Sequence, residues 1–161
     1  MSRPWATDRR FSPFASLASF VRLALAGEVR FPRGRVGETV RVDGREYTVF
    51  RELVHGSRER PDPPTVFLVR FRLARMPPSL NRLFSWLPVP FFAGLPGLRS
   101  KLWLVDESTE EFAGLYEWAS PAAAERYADS FAMRFMTKRA APGSVGYEIR
   151  PDTRREAVLG Q

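Results

Sequence analysis

Apolar and polar positions follow two different periods along this chain, and the change from one to the other marks its elements. Between residues 12 and 27 the apolar positions Phe14, Leu17, Ala18, Val21 and Leu25 recur at helical spacing. Ser12-Pro13 opens this helix, because serine can cap and proline suits the first helical position. Gly27 closes it. The stripe predicts a helix docked on the rest of the protein. The rival reading is a membrane-surface helix, and the single Arg22 gives that face too little basic charge. The stretch is also too short to span a bilayer.

From residue 37 the period falls to two. Val40 and Val42 flank Arg41, Asp43-Gly44 is a type I′ turn signal, and Tyr47, Val49 and Leu53 continue a return strand. A β-hairpin over residues 37–54 follows. Residues 57–64, with Pro61, Pro63 and Pro64, read as a linker. Beyond it the pattern predicts a strand over 65–73 and a short helix over 79–87 that Pro88 and Pro90 stop. An apolar loop then runs to Gly97, followed by strands over 98–106 and 111–118 around a polar turn. A long helix starts at Ser120-Pro121 and ends near Arg139, and a last strand covers 145–150. The order β-α-β-β-α-β is the split βαβ pattern of a ferredoxin-like α+β domain. The expected organisation is a helix-and-hairpin extension over 1–63, the ferredoxin-like domain over 64–150, and a C-terminal tail over 151–161.

Strand parity sorts the side chains into faces. Phe67, Val69 and Phe71 oppose Arg70 and Arg72. Ser100, Leu102 and Leu104 oppose Arg99, Lys101 and Trp103. Gly114, Tyr116 and Trp118 oppose Leu115 and Glu117, and Tyr147 and Ile149 oppose Glu148 and Arg150. The apolar sets are expected under the helices, with Ser100 among them. Trp103 then falls on the charged face, as an anchor for a second subunit. Burying that face calls for a homodimer in which Glu117 and Glu148 pair with Arg70, Arg72, Arg99 or Lys101, because unpaired buried charges are costly. In the long helix, Ala124, Tyr127, Ala128, Phe131 and Phe135 form a core stripe.

Composition narrows the chemistry. There is no cysteine, so disulfides, thiolate nucleophiles and cysteine-based metal centres are excluded. The net charge is +7, and the excess lies in residues 1–75, which hold 15 arginines and 8 acids. Only Lys101 and Lys138 are lysines, whereas 23 basic residues are arginine; that skew is a compositional habit more than a binding surface. The basic residues are scattered and no nucleic-acid motif accompanies them, so nucleic acid is not an expected partner. No secretory leader is evident, and the expected location is the cytoplasm. The one histidine, His55, ends the hairpin and reads as a surface-loop residue. No His/carboxylate spacing supports a metal, and there is no nucleophile elbow, P-loop or dinucleotide fingerprint.

Three segments carry a resemblance: Pro96-Gly97-Leu98-Arg99-Ser100-Lys101-Leu102-Trp103, Phe112-Ala113-Gly114-Leu115-Tyr116-Glu117-Trp118, and Ser120-Pro121-Ala122-Ala123-Ala124-Glu125-Arg126-Tyr127. Residues 65–150 resemble the dimeric α/β-barrel superfamily, and within it the mono-oxygenases of the YdhR type. That resemblance implies a homodimer with sheets meeting back to back and a pocket between sheet and helices in each subunit. It also implies a range of activities, from cofactor-free oxygenation of aromatic polyketides to haem degradation and ligand sensing. The family's His-x-x-Arg-like segment at the end of the long helix has no counterpart in Phe131–Lys138.

The expected pocket is aromatic. Tyr116, Asn81 and Tyr147 are the candidate catalytic donors. Trp86, Trp118, Ser100, Phe91 and Phe92 are the candidate substrate-binding residues, with Phe91-Phe92 on a loop able to act as a lid. Such walls suit a small planar hydrophobic or aromatic molecule. The resulting expectation is a mono-oxygenase that needs no cofactor and acts on a small aromatic or polyketide-like compound. Two other readings remain: a non-catalytic small-molecule-binding or structural homodimer, and a peripheral membrane or partner-binding protein using Phe14–Leu25. A membrane partner is the less expected of these.

Overall fold

The computed structural model describes residue 9, residues 12–56 and residues 62–160. Helix α1 (Pro13–Leu25) begins where the caps place it, the Ser12 hydroxyl accepting from the Ala15 amide at 3.2 Å. Strands β1 (Val29–Arg30), β2 (Thr39–Val42) and β3 (Arg45–His55) follow. Asp43 and Gly44 have φ of 50° and 76°, as a type I′ turn requires. Next come β4 (Thr65–Arg72), α2 (Pro78–Phe84), α3 (Val89–Phe92), β5 (Leu98–Asp106) and β6 (Glu111–Trp118). The chain continues with α4 (Pro121–Ala128), α5 (Phe131–Arg139), β7 (Gly146–Arg150) and α6 (Arg155–Val158). Most of the expected linker, 57–61, lies outside the described residues.

The strands form one antiparallel sheet in the order β1-β3-β5-β6-β4-β7, with β2 beside β3. The stretch β5-β6-β4-β7 is the ferredoxin-like arrangement, in which each helical crossover skips a strand. The hairpin continues this sheet, because β3 pairs with β5 from Thr48↔Val105 to Val54↔Ser100.

Three helical expectations change. Pro88 and Pro90 do stop α2, but they also open α3, since proline is tolerated in a helix's first turn; the expected loop is a helix. The long helix is split at Asp129-Ser130, where the Ser130 hydroxyl accepts from the Met133 amide at 3.3 Å and caps a new helix. The break redirects the axis, so Phe135 is exposed where a continuous helix would bury it, while Tyr127 stays in the core. Helix α1 docks, but by the other side. Phe14 and Leu25 are 84% and 85% exposed, and Ser16 and Phe20 face the core. The physical reason is close backbone approach. A Cβ on Gly94 would lie 1.9 Å from the Ser16 carbonyl oxygen, so only glycine against a small residue fits. Gly94→Ala should therefore push α1 outward and cost about 1–3 kcal/mol, the scale of overpacking. A urea melt and faster amide exchange across 13–25 would show it.

The phase of β5 is the largest correction. Lys101 pairs with Tyr116 and Trp103 with Gly114, so both lie on the helix side of the sheet. Ser100, Leu102 and Leu104 face away. The register shifts between Leu98 and Ser100, a bulge that leaves Leu98 under the helices and turns Ser100 from them.

The far face is mainly apolar and carries charge at its edge, where Arg70 lies 3.4 Å from Glu148 as expected, but within one chain. Leu102, Leu104, Leu115, Val66 and Leu68 pack there against Val40, Val42, Tyr47 and Val49 of the chain's own hairpin and against Val158. The sheet curls enough for the hairpin tip to reach its opposite edge: Asp43 lies 2.6 Å from Arg70 and 2.8 Å from Arg150. Partial burial opposes ionisation of Asp43, yet the two guanidiniums hold its carboxyl below the usual range. The expected tail contains α6, with Arg155 and Val158 fully buried. Arg155 pairs with Glu52, and its backbone amide donates to Glu117 at 2.9 Å, which also accepts from Ser100 at 2.7 Å. An ionic interior exists, but within one chain and with Arg155 as its cation. A back-to-back dimer through this face would have to displace the hairpin and α6.

Candidate active site

A cavity of about 80 Å³ lies between the sheet and the helices. Strand side chains form its floor: Phe71 from β4, Lys101 and Trp103 from β5, and Phe112 and Tyr116 from β6. Asn81 and Ser85 from α2 and its end, Phe92 from α3, Tyr127 from α4 and Phe135 from α5 close it. The alternation of β5 and β6 brings Lys101 and Tyr116 side by side, as cross-strand partners on one face.

Gly114 explains how the Tyr116 ring lies. A Cβ there would sit 2.7 Å from Tyr116 Cε2, so the missing side chain gives the ring its bed along the strand. The ring then reaches Tyr127, with 2.7 Å between hydroxyl oxygens. Burial first, and the neighbouring phenol second, push Tyr116 well above its usual range; burial does the same to Tyr127. Both phenols stay protonated near neutrality and act as donors, not bases. Gly114→Ala should crowd the ring and break the Tyr116–Tyr127 contact, at about 1–3 kcal/mol. Loss of the tyrosine near-UV circular dichroism would report it.

Two cations stand in this aromatic setting. Lys101 Nζ lies 4.2 Å from the Phe92 and Trp103 ring centroids and 4.4 Å from that of Tyr116. A register shift in β3 between Val49 and Arg51 brings Phe50 to the cavity wall and Arg51 opposite Trp103. Arg51 donates to Ser85 Oγ at 2.7 Å and to the Arg82 carbonyl at 3.0 Å, and its guanidinium lies 3.7 Å from the Trp86 ring centroid. Burial lowers Arg51 to about 10. Burial first, and Arg51 second, hold the Lys101 amine well below its usual range.

The structure places the candidates unequally. Tyr116, Asn81 and Phe92 line the cavity. Trp118 stacks behind Tyr116 at 6.2 Å and supports it. Tyr147 is on the predicted face but stacks on Phe67 at the outer edge, 52% exposed, away from the wall. Trp86 lies outside, beneath Arg51. Phe91 lines an outer apolar groove with Pro13 and Phe131. Ser100 is on the opposite face, bonded to Glu117. Trp103, expected at a dimer interface, is cavity wall. His55 is buried at the end of β3, not on a surface loop, and lines a separate groove beside α1. Sequence reasoning missed Lys101, Arg51, Ser85, Trp103 and Tyr127 as site residues. One signal for Lys101 was present: a lysine in mid-strand in a chain that otherwise uses arginine.

Among the described residues no group of three or more His, Asp or Glu is placed to hold a metal ion, and no helix is long and apolar enough to cross a membrane.

Part of this framework is similar to known proteins. Residues 88–143, which supply α3, β5, β6, α4 and α5, match the family described as Putative mono-oxygenase ydhR. Residues 88–143 are YdhR-like. No curated protein sequence matches the chain. Among solved structures, one similar fold is an uncharacterised ferredoxin-fold protein of Listeria monocytogenes 4b F2365 related to antibiotic biosynthesis monooxygenases. Its TM-score is 0.52 at 14% identity, covering 84% of this chain and 88% of that one. Another is LmHde, a heme-degrading enzyme of Listeria monocytogenes, with TM-score 0.52 at 15% identity over 82% of this chain and 92% of that one. At such identities the likeness establishes the ferredoxin-like fold. The YdhR-like segment includes Lys101, Trp103, Gly114, Tyr116 and Tyr127.

Proposed function

We infer that the chain is a cofactor-independent mono-oxygenase acting on a small aromatic or polyketide-like compound. The observation that carries this reading is the aromatic cavity walled in part by the YdhR-like segment, which supplies Tyr116, Tyr127 and Lys101, with Asn81 added from α2. A ring CH₂ made acidic by its neighbours loses a proton, and the carbanion reduces oxygen. One oxygen atom becomes the ring carbonyl, the other leaves as water, and all four electrons come from the substrate. The protein's part is to exclude water, orient the ring and stabilise the oxyanion. One hydroxyl of the hydrogen-bonded Tyr116–Tyr127 pair and the Asn81 amide are the donors available.

The size of the cavity supports a small substrate. About 80 Å³ suits a single ring; a fused polyketide requires α2 and α3 to part from α5. A haem exceeds this volume, and no imidazole stands in the wall.

The test is oxygen uptake with hydroxyaromatic and 1,3-diketone compounds of one to three rings, beside melting temperature for each. Uptake of one O₂ per substrate, falling about 10²-fold in Tyr116→Phe, supports the reading. A melting-point rise without uptake leaves a ligand-binding protein. Neither effect across the panel makes the cavity a packing defect of the core.

A further inference from the structure

We propose that Lys101 is the catalytic base of this cavity, and that the ligands it selects are aromatic compounds with an acidic hydroxyl or ring C–H, held as anions beside Lys101 and Arg51. The proposal deepens the oxygenase reading and rests on it for the step after ionisation.

The geometry is that of a cation site with no anion. Lys101 is 7% exposed, and its Nζ sits among three ring faces at 4.2–4.4 Å. Among the described residues no Asp or Glu lines the cavity. The charged and titratable groups around Lys101 are Arg51 from β3, Tyr116 from β6, Tyr127 from α4 and Arg139 from α5: two phenols and two further cations. Glu117, next to Tyr116 on β6, is on the other face and bonded to Ser100 and the Arg155 amide.

The magnitudes decide the resting state. Taking an unpaired ammonium from water costs more than ring faces return, and Arg51 adds repulsion. A cavity that holds no anion therefore favours the neutral amine. A neutral amine in a dry pocket is a base. The step is S–H + H₂N–Lys101 → S⁻ + ⁺H₃N–Lys101, in which the S–H bond breaks and an N–H bond forms. The new ammonium and the new anion are in contact, so the penalty that kept the amine neutral disappears once its product is bound. Tyr116 and Tyr127 remain protonated, and since one of their hydroxyls donates to the other, the second can donate to the same anion.

The residue type agrees. The chain uses arginine at 23 of its 25 basic positions, yet a lysine occupies this one. Arginine does not deprotonate in proteins, and lysine does when buried. For a merely structural cation the chain's usual residue would serve.

Having only two lysines makes the test clean. In protein carrying ¹³C-lysine, the Lys101 Cε resonance should titrate well below that of Lys138, which is exposed on α5. Adding p-nitrophenol at a pH where the free phenol is protonated should produce the absorption of its phenolate and shift Lys101 to its protonated position. Lys101→Met should abolish the phenolate band and lower kcat/KM about 10²-fold or more with any substrate that consumes oxygen. Lys101→Arg should bind the phenolate yet fail to turn over. If Lys101 titrates with Lys138, or if Lys101→Met still ionises bound p-nitrophenol, the proposal is overturned. It is overturned too if Lys101→Met keeps the wild-type rate and pH profile. Ionisation of the phenol without oxygen uptake from any compound upholds the base and sinks the oxygenase reading instead.

Discussion

Arg155→Ala should destabilise the protein by about 3–5 kcal/mol, the cost of breaking a buried ion pair from one side. Arg155 is fully buried, pairs with Glu52 and seats α6 through its amide bond to Glu117. Truncation leaves the Glu52 carboxylate inside the sheet's far face without its cation and opens the end that α6 closes. In a chain of this size that is a fall in melting temperature of about 6–20 °C. Urea denaturation measures it directly. The double replacement Arg155→Met with Glu52→Leu should recover most of the loss, because removing both charges removes the desolvation problem. Glu46→Ala, at the exposed pair with Arg41, should change stability by no more than about 0.5 kcal/mol. A loss below about 1 kcal/mol for Arg155→Ala would mean that α6 does not seal the interior.

Lys101→Met should have the opposite sign. Replacing a buried amine that lacks a partner by a side chain of similar shape should stabilise the protein at neutral pH by about 1–3 kcal/mol. The pH dependence is diagnostic. Lys101 is held below its ordinary 10.5, chiefly by burial. Between its folded value and 10.5 the unfolded chain carries a proton that the folded chain lacks. Wild-type stability therefore rises with pH in that window, by about 1.4 kcal/mol per unit, and the contribution is lost as pH falls through the folded value. Above pH 10 Tyr116 and Tyr127, raised by burial, act the other way, because the unfolded phenols ionise first. The wild-type minus Lys101→Met difference isolates the lysine. A flat difference from neutral pH to 10 would show that Lys101 is charged in the folded state. A variant that gains stability while losing activity is the expected mark of a residue kept for chemistry.

Much of the ferredoxin-like core was legible. Alternation in β4, β6 and β7 placed Phe67, Tyr116 and Tyr147 on the correct face, and the Asp43-Gly44 turn, the Ser12 cap and the Ser120 cap stand where local chemistry put them. Of the cavity lining, Tyr116, Asn81 and Phe92 were anticipated, because aromatic and amide side chains on a helix-covered face are visible in a pattern. Lys101 and Trp103 were not. Parity divides β5 correctly into two sets but does not say which set faces the helices, and the rule of placing the more apolar set there chose the wrong one.

What the sequence by itself determined, then, is the order of elements, their caps and turns, and the two-fold sorting of each strand. Those are local properties, dictated by backbone sterics and by hydrogen bonds within a few residues. The tertiary structure decided the rest. The hairpin and α6 cover the far face, so both faces of the sheet are buried and apolarity no longer distinguishes inside from outside. The bulge at Leu98–Ser100 then fixes the phase of β5, sending Ser100 to Glu117 and Lys101 to the cavity. The Gly94–Ser16 approach likewise overrides the apolar stripe of α1. In each case a contact between residues distant in sequence settled a choice that the local energies left nearly balanced.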